Sequence, residues 1–207
     1  MISRFHYLTQ DLPDFSHQEL AEIACKSGIR CLQLRVKNKT DSKWLQIAKD
    51  VKQICDQFQA TLIINDNVEI AKEVDADGVH LGKSDMSVPE ARKILGNNKI
   101  IGATANTLED ILEHQKSGAN YVGLGPYRFT ETKKNLSATL GIDGYSQIFK
   151  SSNHQIEIPV IAIGGIQLDD VKLLVNTGVY GVAVSSAINL SNNKEKTIRD
   201  FQSQISA

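Results

Sequence analysis

The chain has 207 residues, 41% hydrophobic and 23% charged, with a formal net charge of -1 at pH 7. That length suits one domain with a sizeable core, and the composition is that of a globular protein rather than a disordered or fibrous one. The near-zero charge excludes a global field that would draw the chain to nucleic acid or an anionic membrane, so phosphorylated ligands would have to be held by local cations and backbone N–H groups.

Short apolar runs alternate with longer amphipathic segments. The opening Met1-Ile-Ser-Arg-Phe-His-Tyr-Leu-Thr9 is too short and polar for a signal peptide, and no apolar run approaches the ~18 residues of a membrane helix. Phe5–Thr9 is the first expected strand, followed by a helix over Ser16–Lys26 with Leu20, Ile23 and Ala24 on one face. The strand Arg30–Leu34 leads into a helix over Asp41–Phe58, where Trp44, Ile47, Ala48, Val51 and Ile54 recur at spacings of three and four. The strands Thr61–Ile64, Gly78–His80, Lys99–Gly102 and Tyr121–Gly123 follow, with helices near Val68–Glu73, Ser87–Leu95, Thr107–Ser117 and Gly141–Phe149. The strand Pro159–Ile163, a helix over Leu168–Asn176, the strand Gly181–Val184 and a helix over Lys194–Ile205 complete the series. Helix starts are signalled by Ser87 with Pro89 and Glu90 and by Thr107 with Glu109 and Asp110, and helix ends by Gly28, Gly96, Gly118 and Gly178. Cys25, Cys31 and Cys55 lack CxxC spacing and read as reduced core thiols of a cytoplasmic protein.

Strands such as Thr61-Leu-Ile-Ile64 are almost wholly apolar, the pattern of parallel strands buried on both faces. Eight strand–helix units without a linker predict an α/β fold, a single-domain (β/α)8 TIM barrel over residues 1–207. The runner-up is an open doubly wound sheet, which usually carries a glycine-rich loop after strand one. Here Gln10-Asp-Leu-Pro-Asp14 stands instead.

In a barrel, the residues following each strand line the reactive mouth. Those residues are Gln33, Arg35 and Lys37, then Asn65 and Asp66, then His80, Gly82, Lys83 and Asp85. Thr104-Ala-Asn106, the run from Gly125 to Lys133, Gly164-Gly165 and Ser185-Ser186 follow the later strands. Gly164-Gly165 with Ser185-Ser186 suggests a phosphate pocket, because glycine lets backbone N–H groups approach an anion; a tight turn is the competing account. Arg35, Lys37 and Lys133 with Asp66 and Asp85 could hold a magnesium diphosphate, and barrel-mouth salt bridges are the alternative. His80 reads as a hydrogen-bonded core residue, and His114 and His154 as solvated. Ser185-Ser186 has no nucleophile-elbow context, and GxGxxG and P-loop motifs are absent from the sequence.

Seven ordered motifs carry a family resemblance. They are Gln33-Leu-Arg-Val-Lys37, Ile64-Asn-Asp66, Asp77-Gly-Val-His-Leu-Gly-Lys-Ser-Asp85, Gly123-Leu-Gly-Pro126, Thr130-Glu-Thr-Lys133, Ala162-Ile-Gly-Gly-Ile166 and Gly181-Val-Ala-Val-Ser-Ser-Ala-Ile188. Together they resemble the thiamine phosphate synthase family. The resemblance implies a transferase of thiamine biosynthesis that joins 4-amino-2-methyl-5-hydroxymethylpyrimidine diphosphate to a thiazole phosphate and releases diphosphate. It implies that Gln33, Arg35, Lys37, Asn65, Thr104 and Lys133 hold the pyrimidine diphosphate, with Lys133, Arg35 and Lys37 serving catalysis. It implies that Asp66 and Asp85 ligate Mg²⁺, and that Thr130, Thr132, Gly165, Ser185 and Ser186 hold the thiazole phosphate. The partners would be small molecules, without nucleic acid or membrane, and a homo-oligomer is compatible with the sequence. The loop Tyr127–Ser137 would act as a lid, with Arg128 pinning it rather than touching phosphate.

Three positions depart from the family pattern. Gly102-Ala-Thr104-Ala-Asn106 stands where Gly-x-Ser-x-His is frequent, Lys83 where Gln is common, and Tyr127-Arg128-Phe129 where a more apolar stretch is usual. The rival readings are a thiazole tautomerase on the same barrel and a non-catalytic phosphoheterocycle-binding barrel. Neither has a use for the paired carboxylates Asp66 and Asp85.

Overall fold

The computed structural model describes residues 1–37, 39–129 and 138–206. Eight strands alternate with helices: β1 (Phe5–Leu8), α1 (His17–Lys26), β2 (Cys31–Leu34), α2 (Asp41–Gln57), β3 (Thr61–Asn65), α3 (Val68–Glu73), β4 (Gly78–Leu81) and α4 (Val88–Leu95). β5 (Ile100–Ala105), α5 (Leu108–Lys116), β6 (Tyr121–Leu124), α6 (Gly141–Ser151), β7 (Val160–Ile163), α7 (Asp170–Asn176), β8 (Gly181–Val184), α8 (Ser186–Asn189) and α9 (Lys194–Ser206) follow. All the strands are parallel and pair in chain order, and β8 closes onto β1 with Phe5 opposite Val182 and Tyr7 opposite Val184. Closure excludes the open sheet. No helix of the described residues is long and apolar enough to cross a membrane.

Side chains of each strand alternate between two environments, as strand geometry requires. Phe5, Tyr7, Leu32, Leu34, Val182 and Val184 belong to the large apolar layer between barrel and helices. The intervening residues point inward, where Leu8, Tyr121, Ile161 and Ala183 form a small separate cluster. The rest of the interior is polar for a buried space: His6, Gln33, Asn65 and His80 are all buried.

Two strand glycines make room for this interior. A Cβ on Gly102 would lie 2.2 Å from Cζ of Tyr121, and one on Gly123 would lie 2.9 Å from Cε1 of His80. Gly102 therefore does not end its strand, as the sequence suggested; β5 continues to Ala105 and carries Thr104 within it. Glycine inside a strand often marks such a close approach.

The helix starts are built as their sequences indicate. Ser16 with Glu19, Ser87 with Glu90 and Thr107 with Asp110 each form a capping box, and losing such a cap costs about 1 kcal/mol. The helix α8 was not foreseen, since its four residues are too few to show a period. Cys25, Cys31 and Cys55 are free and buried.

Candidate active site

The exits of β2, β3 and β4 bring a cation and two carboxylates together. Lys37 Nζ lies 2.5 Å from Asp66 Oδ2, and Asn65 Nδ2 donates to Asp66 Oδ1 at 2.5 Å. Asp66 has φ of +68°, a left-handed conformation that Asp tolerates better than bulky residues. Its amide donates to the His80 carbonyl at 2.8 Å, which aims the carboxylate across to the end of β4. There Asp85 Oδ2 accepts the Gly82 amide at 2.6 Å.

The Asp85 carboxyl is raised above its usual value, first by burial and then by the charge of Asp66 and a hydrogen bond with it. The Gly82 amide and Lys37 act in the opposite sense. Two carboxylates this close repel when both are ionised, which is why Asp66 makes Asp85 hold its proton more tightly. A cavity of about 460 Å³ opens beside them, lined by Lys37, Lys39, Trp44 and Glu69 among others.

Residues after β1 hold the β2 exit in place, and no sequence motif announced them. Asp11 Oδ2 accepts the Lys37 amide at 2.8 Å, and Thr9 Oγ1 accepts the Arg35 amide at 3.1 Å. His17 bridges these two anchors, with Nδ1 at 2.9 Å from Thr9 Oγ1 and Nε2 at 3.2 Å from Asp11 Oδ1. Burial lowers the Arg35 guanidinium from its usual value, while Asp66 and Asp11 pull the other way. Arg remains charged throughout the working pH range.

A second feature lies across the mouth. Gly164 and Gly165 follow β7 with φ of +102° and +67°, conformations that favour glycine. Arg128 binds both: its amide donates to the Gly164 carbonyl at 2.9 Å and its Nη1 to the Gly165 carbonyl at 3.1 Å. The guanidinium also pairs with the buried Asp170, with Nη2 to Oδ1 at 2.6 Å and Nη1 to Oδ2 as the second arm. Asp170 in turn accepts the Gln167 amide at 2.7 Å. Arg128 thus ties the β6 exit to the glycine turn; the lid it was expected to pin lies mostly outside the described residues.

Ser185 and Ser186 stand at the end of β8, where Ser186 opens α8. Ser185 Oγ donates to the Leu8 carbonyl at 3.2 Å and accepts Nδ2 of Asn189 at 3.1 Å. Asn189 is held by the Tyr7 hydroxyl at 2.5 Å. The serine is thereby fixed at the closing seam of the barrel.

Gln33 and Thr104 face the barrel interior below the mouth, where Tyr121 and His80 also lie. The Tyr121 hydroxyl lies 3.0 Å from His80 Nδ1, and His80 Nε2 lies 3.2 Å from Thr104 Oγ1. His80 is therefore the hydrogen-bonded interior residue its sequence context suggested. His114 is not simply solvated: it is half-buried, and its Nε2 bonds the Thr104 carbonyl at 3.0 Å. The departures Lys83 and Asn106 also have partners, Lys83 in Asp110 at 2.6 Å and Asn106 in the Gly125 carbonyl at 2.5 Å.

Gln33, Arg35, Lys37, Asn65, Asp66, Asp85 and Thr104 thus gather on the β2–β5 side, and Gly165, Ser185 and Ser186 on the β7–β8 side. Thr130, Thr132 and Lys133, with most of the expected lid, lie outside the described residues.

These features define a closed (β/α)8 barrel with a charged, glycine-containing mouth at the C-terminal ends of its strands. The family model for thiamine monophosphate synthase matches residues 8–188, and the chain belongs to that family. It is 45% identical over 208 residues to the thiamine-phosphate synthase of Flavobacterium johnsoniae, covering 100% of this chain and 98% of that one. It is 46% identical over 183 residues to that of Bacteroides fragilis, covering 88% and 90% of the two chains. Among solved structures, the thiamine phosphate pyrophosphorylase of Pyrococcus furiosus superposes with a TM-score of 0.86 at 32% identity, covering 98% of this chain and 95% of that one.

Proposed function

We infer that the chain is a thiamine-phosphate synthase, which condenses the pyrimidine diphosphate with the thiazole phosphate to give thiamine phosphate and diphosphate. The observation that carries this reading is the end-to-end identity of 45% with a thiamine-phosphate synthase. The geometry of the mouth is consistent with it, offering separate places for two anionic substrates.

On this reading Gln33, Asn65 and Thr104 hold the pyrimidine, while Arg35 and Lys37 face its diphosphate. Lys37 is paired with Asp66, yet its side chain is 42% exposed and an ammonium has three donors, so it can also meet an anion. Gly165, Ser185 and Ser186 hold the thiazole phosphate, the glycine through its backbone. Lys133, Thr130 and Thr132 join these sets on the strength of the resemblance alone.

The bond from the pyrimidine CH₂ carbon to the diphosphate oxygen breaks, and its electron pair leaves with the diphosphate. The amino-pyrimidine ring stabilises the resulting cation. The thiazole nitrogen then donates its lone pair to form the C–N bond. Arg35 and Lys37 stabilise the negative charge as it develops, and the mouth holds the nucleophile in line. A side-chain nucleophile has no part in this scheme.

Among the described residues, no group of three or more His, Cys, Asp and Glu side chains is placed to hold a metal ion. The pair Asp66 and Asp85 nevertheless fits Mg²⁺, which takes one or two carboxylates and completes its shell with phosphate oxygens and water. Bound there, Mg²⁺ would supply charge neutralisation for the diphosphate. A reducing, cytoplasmic setting belongs to the same reading and is supported by the three free thiols.

The test supplies purified protein with both substrates and Mg²⁺ and looks for thiamine phosphate and diphosphate. Formation of neither product would overturn the assignment.

A further inference from the structure

We propose that Asn189 and Tyr7 are positioning residues for the thiazole phosphate: they hold the Ser185 hydroxyl in the seam between β8 and β1, fix the backbone of the β8 exit, and leave Ser186 as the serine whose hydroxyl meets the phosphate. This rests on the reading above that the β8 exit holds the thiazole phosphate, and it separates the parts played by the two serines there.

The clamp starts where the barrel closes. β8 pairs with β1, Val184 opposite Tyr7, and this brings the Leu8 carbonyl beside Ser185. Ser185 leads into α8 with φ of −122° and ψ of −86°, and its carbonyl receives the amides of Ile188 at 3.0 Å and Asn189 at 2.9 Å. Asn189 therefore stands one turn beyond Ser185, where residues four apart share a face. Its side chain returns over that turn, with Nδ2 3.1 Å from Ser185 Oγ. Tyr7 and Asn189 are each 1% exposed, so their polar atoms have to be satisfied within the protein.

The direction of each bond follows from its partners. The Leu8 carbonyl can only accept, so the end of the Asn189 amide 2.9 Å from it is the NH₂. The other end is then the oxygen, and the Tyr7 hydroxyl donates to it at 2.5 Å. Between Ser185 Oγ and the Leu8 carbonyl, 3.2 Å apart, the only hydrogen is that of the serine. The Ser185 hydroxyl thus gives its one proton to the Leu8 carbonyl and receives one from Asn189. It has none left for phosphate oxygens, which need donors.

Ser186 is placed differently. It is half-buried at the first position of α8, and its hydroxyl bonds none of the described residues. It follows Ser185 directly, so the clamp across the seam sets its backbone as well. A group that must meet a charged oxygen at hydrogen-bond distance is sensitive to such a setting: a displacement of about 1 Å can cost on the order of a hundredfold.

The test is steady-state kinetics with each substrate varied in turn. Ser186→Ala loses a bond to a charged group and should lower kcat/KM for thiazole phosphate about twentyfold or more. Tyr7→Phe and Ser185→Ala break neutral bonds and should lower it about three- to fivefold each, and Asn189→Leu, which breaks several, about tenfold. Tyr7→Phe keeps the buried ring, so it carries the test even where melts show Asn189→Leu to be unfolded. A residue that acts through Ser186 loses its effect once that hydroxyl is gone. Tyr7→Phe with Ser186→Ala should therefore stay within about twofold of Ser186→Ala alone. The KM for pyrimidine diphosphate should stay within about twofold throughout. Ser185→Ala as damaging as Ser186→Ala would make Ser185 a phosphate ligand and overturn the proposal. Full multiplication of the Tyr7→Phe and Ser186→Ala losses, or an equal rise in both KM values, would overturn it too, as marks of a general structural role. If Ser186→Ala is impaired while Tyr7→Phe and every folded Asn189 variant match wild type, the clamp is refuted and the phosphate reading stands. If Ser186→Ala and Gly165→Val both match wild type, that reading itself is wrong.

Discussion

Replacing Arg128 by Ala should loosen the glycine turn that follows β7. The guanidinium makes a two-armed pair with Asp170 and also holds the Gly165 carbonyl. Breaking a fully buried ion pair costs roughly 3–5 kcal/mol. Here the Asp170 side chain is 6% exposed but that of Arg128 is 48% exposed, so solvent screens the pair. Asp170 also keeps the Gln167 amide and the Tyr127 hydroxyl after the substitution. The expected loss is therefore about 1–2 kcal/mol, or roughly 2–8 °C in Tm for a chain of this size. Burial alone would raise the Asp170 carboxyl, but Arg128, the Gln167 amide and the Tyr127 hydroxyl together lower it below its ordinary value. A depressed carboxyl contributes stability above the unfolded value, near pH 4, and loses it as pH falls through the folded value. The gap between wild type and Arg128→Ala should stay constant from pH 6 to 7 and narrow below about pH 4. Thermal melts across this range would show it. In steady-state assays the KM for thiazole phosphate should rise by roughly 5–30-fold if the stability loss falls on the turn, with the KM for the pyrimidine diphosphate nearly unchanged. Wild-type Tm with a wild-type thiazole KM would refute the reasoning.

Asp85→Asn should weaken the apparent affinity for Mg²⁺ by at least about tenfold, with excess Mg²⁺ restoring only part of the rate; a Mg²⁺ titration of initial rates that matches wild type would remove Asp85 from the site. Gly165→Val should raise the thiazole phosphate KM and spare pyrimidine diphosphate binding, because φ is +67° there and a Cβ would lie 2.9 Å from that of Arg128; equal weakening of both ligands on a folded variant would contradict the separation of the two sites. Lys83→Gln should change stability by no more than about 1 kcal/mol, since the side chain of Lys83 is 47% exposed beside Asp110. That difference should vanish in high salt, and a melt that shows a larger, salt-independent loss would point to a buried role for Lys83.

The barrel was legible because a parallel strand covered on both faces must be apolar on both, and Thr61–Ile64 and Val160–Ile163 are. The cations and carboxylates of the mouth were legible because charged residues follow directly on the ends of these otherwise apolar strands. What escaped is what depends on closure. Tyr121 reads as the first residue of an apolar strand, and only its meeting with His80, 41 positions away, makes it part of a polar chain. Gly102 reads as a strand end until the ring it accommodates is seen. Asp11, Thr9 and His17 share no spacing rule with Arg35 and Lys37; they meet because β1 pairs with β2.

This division follows from where each group stands relative to the barrel. A residue that will meet a charged ligand keeps its charge and an opening to water, so its type declares it in a linear reading. A residue that orients such a group can be buried and neutral, and then it resembles core. Thr9 is fully buried, yet its hydroxyl receives the Arg35 amide and touches the ring of His17. His17 is lowered from its usual value by burial, with Asp11 acting against that, so it serves this frame mainly as a neutral ring near pH 7. The β1 exit therefore sets the backbone of the β2 exit through uncharged hydrogen bonds and one carboxylate, Asp11. Thr9 and Asp11 bind the backbone amides of Arg35 and Lys37, and on the proposed reading the cationic side chains of these two residues meet the diphosphate.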